Sequence, residues 1–235
     1  MEYVALGRTN VLVSRTGLAA GSLRLQSAAE QTALIREAYD KGVNYFDFCC
    51  CGGDEHLTAL AAAFHEIRQN VVLGACVTAP SGARLKVVLE GALTALNTDY
   101  IDLLQVAGLD AAPVPGGEDG VADTMAALKK AGKIRYAGLA APFAFAPASL
   151  PGSSVFDTLR FPFNRETQGE AVQIAEVCAK KALGCLAAEP LCAPFEEIED
   201  AFLFLRQFEQ AVPLWEVRSR EQLQALLALG RKYEK

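Results

Sequence analysis

Residues Asn44 to Gly53 read N-Y-F-D-F-C-C-C-G-G, and their order predicts a strand that runs into a loop able to carry chemistry. Val43 to Phe48 is a short apolar run with Asp47 at its C-terminal end. Cys49, Cys50, Cys51, Gly52 and Gly53 then lead toward a helix from Asp54 to about Ile67. In α/β proteins an ionisable group at the C-terminal end of a parallel strand, followed by a Gly-rich turn, is the usual position of the active site.

Working outward, the same strand-then-helix alternation continues in both directions. Upstream, Thr16 to Ala20 reads as a strand, and a helix from Ala28 to Lys41 turns Leu34, Ile35, Ala38 and Tyr39 inward before Gly42 stops it. Glu2 to Leu6 and Asn10 to Val13, around Gly7-Arg8-Thr9, read as a small hairpin plugging one end. Downstream, strands are expected at Val71–Val77, Ile101–Ala107, Ile134–Leu139, Val155–Arg160, Gly184–Ala188 and Val212–Val217. The helices between them are expected after Cys76, from Glu118 to Ala131, over Phe143–Leu150 as a poor helix or loop, from Thr167 to Ala182, and around Ile198–Phe208. Ser219 caps a last helix carrying Leu223, Leu226 and Leu227. Leu85, Val88, Leu89, Ala92, Leu93 and Leu96 form the clearest amphipathic stripe.

Eight strands alternating with eight helical segments, with no compositional break, predict one (β/α)8 TIM barrel with a short N-terminal β-hairpin, a single domain over residues 1–235. The rival, an open doubly wound sheet, lacks the G-x-G-x-x-G signature after its first strand.

Composition narrows the function classes. The 235 residues are 51% apolar with a formal charge of −6, which gives no electrostatic footprint for nucleic acid or an anionic membrane. No window approaches the roughly 18 apolar residues of a membrane helix, and the N-terminus shows no basic segment followed by an apolar run. The expectation is a soluble, cytoplasmic protein. Seven cysteines is an odd number in a chain too long to need staples. That leaves reduced thiols, metal ligation or redox chemistry ahead of a disulfide framework.

Several stretches also resemble the aldo-keto reductases, in order and nearly end to end. They are Leu6-Gly7-Arg8-Thr9, Lys41 to Asp47, Asn97-Thr98-Asp99-Tyr100-Ile101-Asp102-Leu103-Leu104-Gln105, Gly132 to Gly138, Phe161-Pro162-Phe163-Asn164 and Glu189-Pro190-Leu191. The chain looks most similar to the branch whose members often carry a C-terminal ferredoxin-like extension, an extension not seen before Lys235. The resemblance implies a barrel that binds NADP at its C-terminal mouth and passes hydride to the carbonyl of a small molecule, using Asp, Tyr, Lys and His. Asp47 matches the aspartate. Gly52 stands where the tyrosine is expected, Cys76 at the lysine and Ala107 at the histidine. On the cofactor side, Ala140 and Ala141 replace a polar pair and Arg160 replaces a glutamine. Arg218 and Ser219 match the adenosine-phosphate segment, in which Glu216 replaces a glycine.

Transferred in this way, the mouth holds Asp47, Cys76 and Arg160, with Glu189 and the Cys49 to Cys51 loop nearby. A buried carboxylate that has lost its lysine requires compensation. Three arrangements supply it. Arg160 pairs with Asp47; or zinc or iron is held by Cys76, Asp47 and Cys49, Cys50 or Cys51; or Cys76 joins a loop cysteine in a reversible disulfide. Asp47 and Cys76 are the candidate reactive groups. Cys192 and His56 are outlying candidates, and Cys178 and Cys185 read as core.

Overall fold

The computed structural model describes residues 1–50, 54–109, 111–140, 155–192 and 198–234. β1 (Tyr3–Ala5) and β2 (Leu12–Ser14) form the expected antiparallel hairpin. Eight parallel strands follow: β3 (Gly17–Ala19), β4 (Tyr45–Cys49), β5 (Val72–Thr78), β6 (Ile101–Ala107), β7 (Ile134–Ala140), β8 (Thr158–Pro162), β9 (Gly184–Ala188) and β10 (Ala211–Trp215). They close in chain order into a barrel, with β10 pairing β3.

Outside the strands lie α1 (Ala28–Asp40), α2 (Asp54–Phe64), α3 (Gly82–Ala95), α4 (Val121–Lys130), α5 (Gln168–Lys181), α6 (Ile198–Leu205) and α7 (Arg220–Lys232). The expected segment Phe143–Leu150 lies outside the described residues. α4 begins three residues later than the sequence suggests, because the chain first turns at Gly117–Gly120, with Gly120 at φ 63°. α2 ends at Phe64 and continues as a short 3-10 turn at Arg68–Asn70.

Two cores result from strict alternation along the strands. Phe46, Phe48, Leu73, Ala75 and Val77 point outward, against Leu34, Ile35 and Ala38 of α1, Leu57 and Leu60 of α2 and Leu85 and Leu89 of α3. Each such buried aliphatic or aromatic side chain is worth about 1.5–3 kcal/mol relative to exposure. Helix ends are secured locally. Ser27 and Glu30 form a reciprocal capping box on α1, and Ser81 and Ser219 cap α3 and α7.

The second core fills the barrel floor. Leu6 and Val13 from the hairpin region pack against Tyr45, Leu103, Leu186, Val212 and Leu214. The Tyr136 hydroxyl donates to the Thr9 carbonyl at 2.9 Å, and Gly7, at φ +56°, lies so close to β9 that a Cβ would fall 2.3 Å from the Gly184 nitrogen. Only glycine fits there.

Asp102 ties β5, β6 and β7 together near the same end. Its carboxylate meets Arg68 at 2.8 Å and Arg135 at 2.9 Å, and it accepts the Leu73 amide at 3.0 Å. Asp102 therefore serves the fold. Among the described residues no helix is long and apolar enough to cross a membrane.

Candidate functional site

The alternation that sends Phe46 and Phe48 outward turns Tyr45, Asp47 and Cys49 into the barrel. Register then decides what Asp47 meets. Its neighbours across the ladder are Ala19 on β3 and Gly74 on β5. A Cβ at Gly74 would fall 2.4 Å from the Tyr45 Oη and 2.6 Å from Asp47 Oδ2, so this glycine makes room for a polar group inside the barrel.

Asp47 is only 2% exposed, and three donors converge on it. Arg160 Nη1 on β8 donates to Oδ1 at 2.5 Å, Gln105 Nε2 on β6 donates to Oδ2 at 2.6 Å, and the Tyr45 hydroxyl donates to Oδ2 at 3.3 Å. Burial lifts the Asp47 carboxyl above its ordinary range, opposed by the charge of Arg160 and by the hydrogen bonds of Gln105, Tyr45 and Arg160. For Arg160, burial works most strongly against the charge, but Asp47, Cys76 and Tyr45 together outweigh it and the proton is held more tightly than usual. Burial, then the charge of Asp47, pushes the Tyr45 phenol well above its usual range.

The cysteines divide by the same alternation. Cys49 ends β4, faces the interior and is exposed at the mouth. Its register partner is Cys76 on β5, which in turn neighbours Gln105 on β6. Cys50 continues the ladder through its amide, which donates to the Cys76 carbonyl at 3.0 Å, and its side chain packs against the outer core. Cys51 and Gly52 lie outside the described residues.

A mouth cavity of about 380 Å³ is lined by Asp47, Cys49, Arg160, Arg24, Glu216 and Arg218, among others. Arg218 sits 3.6 Å from the Glu216 carboxylate, and the Ser219 hydroxyl accepts the Gln222 amide as the α7 cap. The two residues matching the adenosine-phosphate segment are thus engaged within the chain.

Of the residues singled out from the sequence, Asp47, Cys49, Cys76 and Arg160 gather around the upper barrel interior, and the Arg160–Asp47 pairing is the first of the three expected compensations. Of the expected metal set, Cys50 packs against the outer core, both Asp47 oxygens accept hydrogen bonds and Cys51 lies outside the described residues. Among the described residues no three His, Cys, Asp or Glu side chains gather as a metal site. Ala107 and Ala140 end β6 and β7, and Glu189 is exposed just past β9 with φ 49°. Cys192 is partly buried, while Cys178 and Cys185 are fully buried in the outer core. His56 is buried on α2, where its Nδ1 lies 2.9 Å from Gln31 Oε1. Because the Gln31 amide nitrogen is used on the Gln26 carbonyl, its oxygen accepts and His56 Nδ1 donates.

Tyr45 and Gln105, both partners of Asp47, were not anticipated as site residues. Tyr45 was recoverable from its spacing of two from Asp47, which puts both on one face. Gln105 needed the cross-strand register.

The Aldo/keto reductase family profile matches residues 17–196. The chain belongs to this family. It is 33% identical to the aldo-keto reductase YhdN of Bacillus subtilis over 158 residues, covering 59% of this chain and 46% of the relative. It is 26% identical over 247 residues to the aldo-keto reductase dtxS3 of Metarhizium robertsii, covering 82% of this chain and 65% of the relative. The chain therefore spans about half to two thirds of the length of these relatives. Among solved structures, the holo form of an aldo-keto reductase from Bacillus halodurans superposes with a TM-score of 0.79 at 17% identity, covering 97% of this chain and 90% of that one. That likeness is one of fold.

Proposed function

We propose that this aldo-keto reductase barrel does not reduce carbonyls with a nicotinamide cofactor, and that its mouth is instead a thiol-bearing site for a small molecule. The observation that carries the reading is the Arg160–Asp47 pair. Hydride delivery to a carbonyl leaves an alkoxide that must be protonated by a positioned acid. The resemblance assigns that role to a tyrosine tuned by a lysine and by the aspartate, and at those positions this chain has Gly52, Cys76 and Asp47.

Among the described residues no other group takes over. Arg160 holds its proton too tightly to donate it. The Tyr45 phenol is buried, donates to Asp47 and packs with the floor residues. The nicotinamide seat is equally altered. Ala140 offers no side-chain donor at the end of β7, and Arg160 is tied to the carboxylate. Arg218 faces Glu216, whose charge opposes a phosphate. The residues present do not fit the cofactor. A reducing compartment such as the cytoplasm suits exposed thiols at the mouth.

The test is a fluorescence titration with NADPH and NADH, together with absorbance assays over a panel of aldehydes and ketones. No saturable binding at physiological cofactor levels and no carbonyl-dependent oxidation are expected. Sustained NADPH oxidation that requires a carbonyl substrate overturns the proposal.

A further inference from the structure

Cys49 and Cys76 are register partners on adjacent parallel strands, and both side chains face the barrel interior. Neighbouring strands lie about 4.8 Å apart, inside the roughly 4.4–6.8 Å Cα separation that a disulfide spans. Cys49 is exposed and Cys76 partly so. Cys76 also lies within interaction range of Arg160, whose proton is held more tightly when the Cys76 sulfur is charged. Cys50 instead packs on the outer core, and Cys178 and Cys185 are fully buried against each other.

We propose that Cys76 and Cys49 form a dithiol–disulfide couple at the mouth, closed by a hydroperoxide and reopened by a thiol reductant. The Cys76 thiolate attacks the peroxide, the O–O bond breaks, one oxygen stays on sulfur as a sulfenic acid, and the other leaves as water or an alcohol after taking a proton. The Cys49 sulfur then attacks the sulfenic sulfur, an S–S bond forms and water departs. Two electrons pass from the pair of thiols to the peroxide, and a reductant thiol later returns them. This deepens the thiol-site reading but stands apart from the loss of reductase activity. A barrel that oxidised NADPH would still carry the couple, so the two tests fail separately.

The experiment treats the reduced, full chain with hydrogen peroxide at neutral pH, blocks remaining thiols with N-ethylmaleimide and maps the peptides by mass. The expected product is a Cys49–Cys76 crosslink, with both thiols lost to alkylation and regained after dithiothreitol. In C49S a sulfenic acid is trapped by dimedone at Cys76, whereas in C76S no crosslink forms and Cys49 gives no adduct at the same dose. The wild-type map decides the matter even if a variant folds poorly. A Cys76 that stays alkylatable throughout, or a crosslink that joins Cys76 to another cysteine, overturns the proposal.

Discussion

Replacing Arg160 with methionine removes the cation from Asp47 while keeping most of the aliphatic volume. The carboxylate, 2% exposed, is then left with Gln105 and Tyr45 as donors. Breaking a buried pair from one side costs about 3–5 kcal/mol. Because the Arg160 side chain keeps 23% of its exposure, the lower end, about 3 kcal/mol, is expected, or a fall of about 6–12 °C in Tm for a chain of this size. The penalty depends on pH in a definite sense. Burial already lifts the Asp47 carboxyl above 3.8, and removing Arg160 lifts it further. Below the unfolded value both states are protonated and the variant loses little. As pH rises, the wild-type folded carboxyl ionises before that of the variant, and between those two folded values the penalty grows by up to about 1.4 kcal/mol per pH unit. Thermal or urea unfolding of wild type, R160M, D47N and the R160M/D47N double variant at about pH 4 and pH 8 measures this. The double variant should recover about 2 kcal/mol of the R160M loss at the higher pH. A penalty equal at both pH values, with no recovery in the double variant, refutes the claim that Arg160 is what balances Asp47.

Gly74→Ala places a methyl group in the space shared by Tyr45 and Asp47 and should destabilise the protein by about 1–3 kcal/mol, read from urea midpoints. Gly91→Ala, where a Cβ meets nothing within 4 Å in the interior of α3, is the comparison without a clash and should stabilise by about 0.5–1 kcal/mol. For His56, burial, then the charge of Arg24, pushes the imidazole below its ordinary 6.5. Its folded form therefore resists protonation, so stability is full above 6.5 and falls as pH drops below it, by at most about 1.4 kcal/mol per pH unit. H56Q should flatten that part of the pH–stability curve, and an unchanged slope would remove His56 from the explanation.

The barrel was legible because each βα unit announces itself through an apolar strand, an amphipathic helix and a stop such as Gly42 or Gly132. The placement of Asp47 followed from the same reading. What alternation settles along one strand, it leaves open between strands. Gln105 reaches Asp47 because β5 offers only Gly74 between them, and that depends on register. Counting cysteines near one mouth does not say which way each one points: the pleat turns Cys50 toward the helices while Cys49 and Cys76 face inward. Arg160 was legible as a partner because a cation on a barrel strand with an interior carboxylate has few other low-energy arrangements.

The hairpin that seals the barrel floor has a consequence for traffic. With Leu6, Val13 and the Thr9–Tyr136 hydrogen bond stopping one end, the interior is a cup rather than a tube, and whatever enters must leave across the same rim. Cys49 stands on that rim. A bond tying it to the neighbouring strand would govern arrival and departure alike.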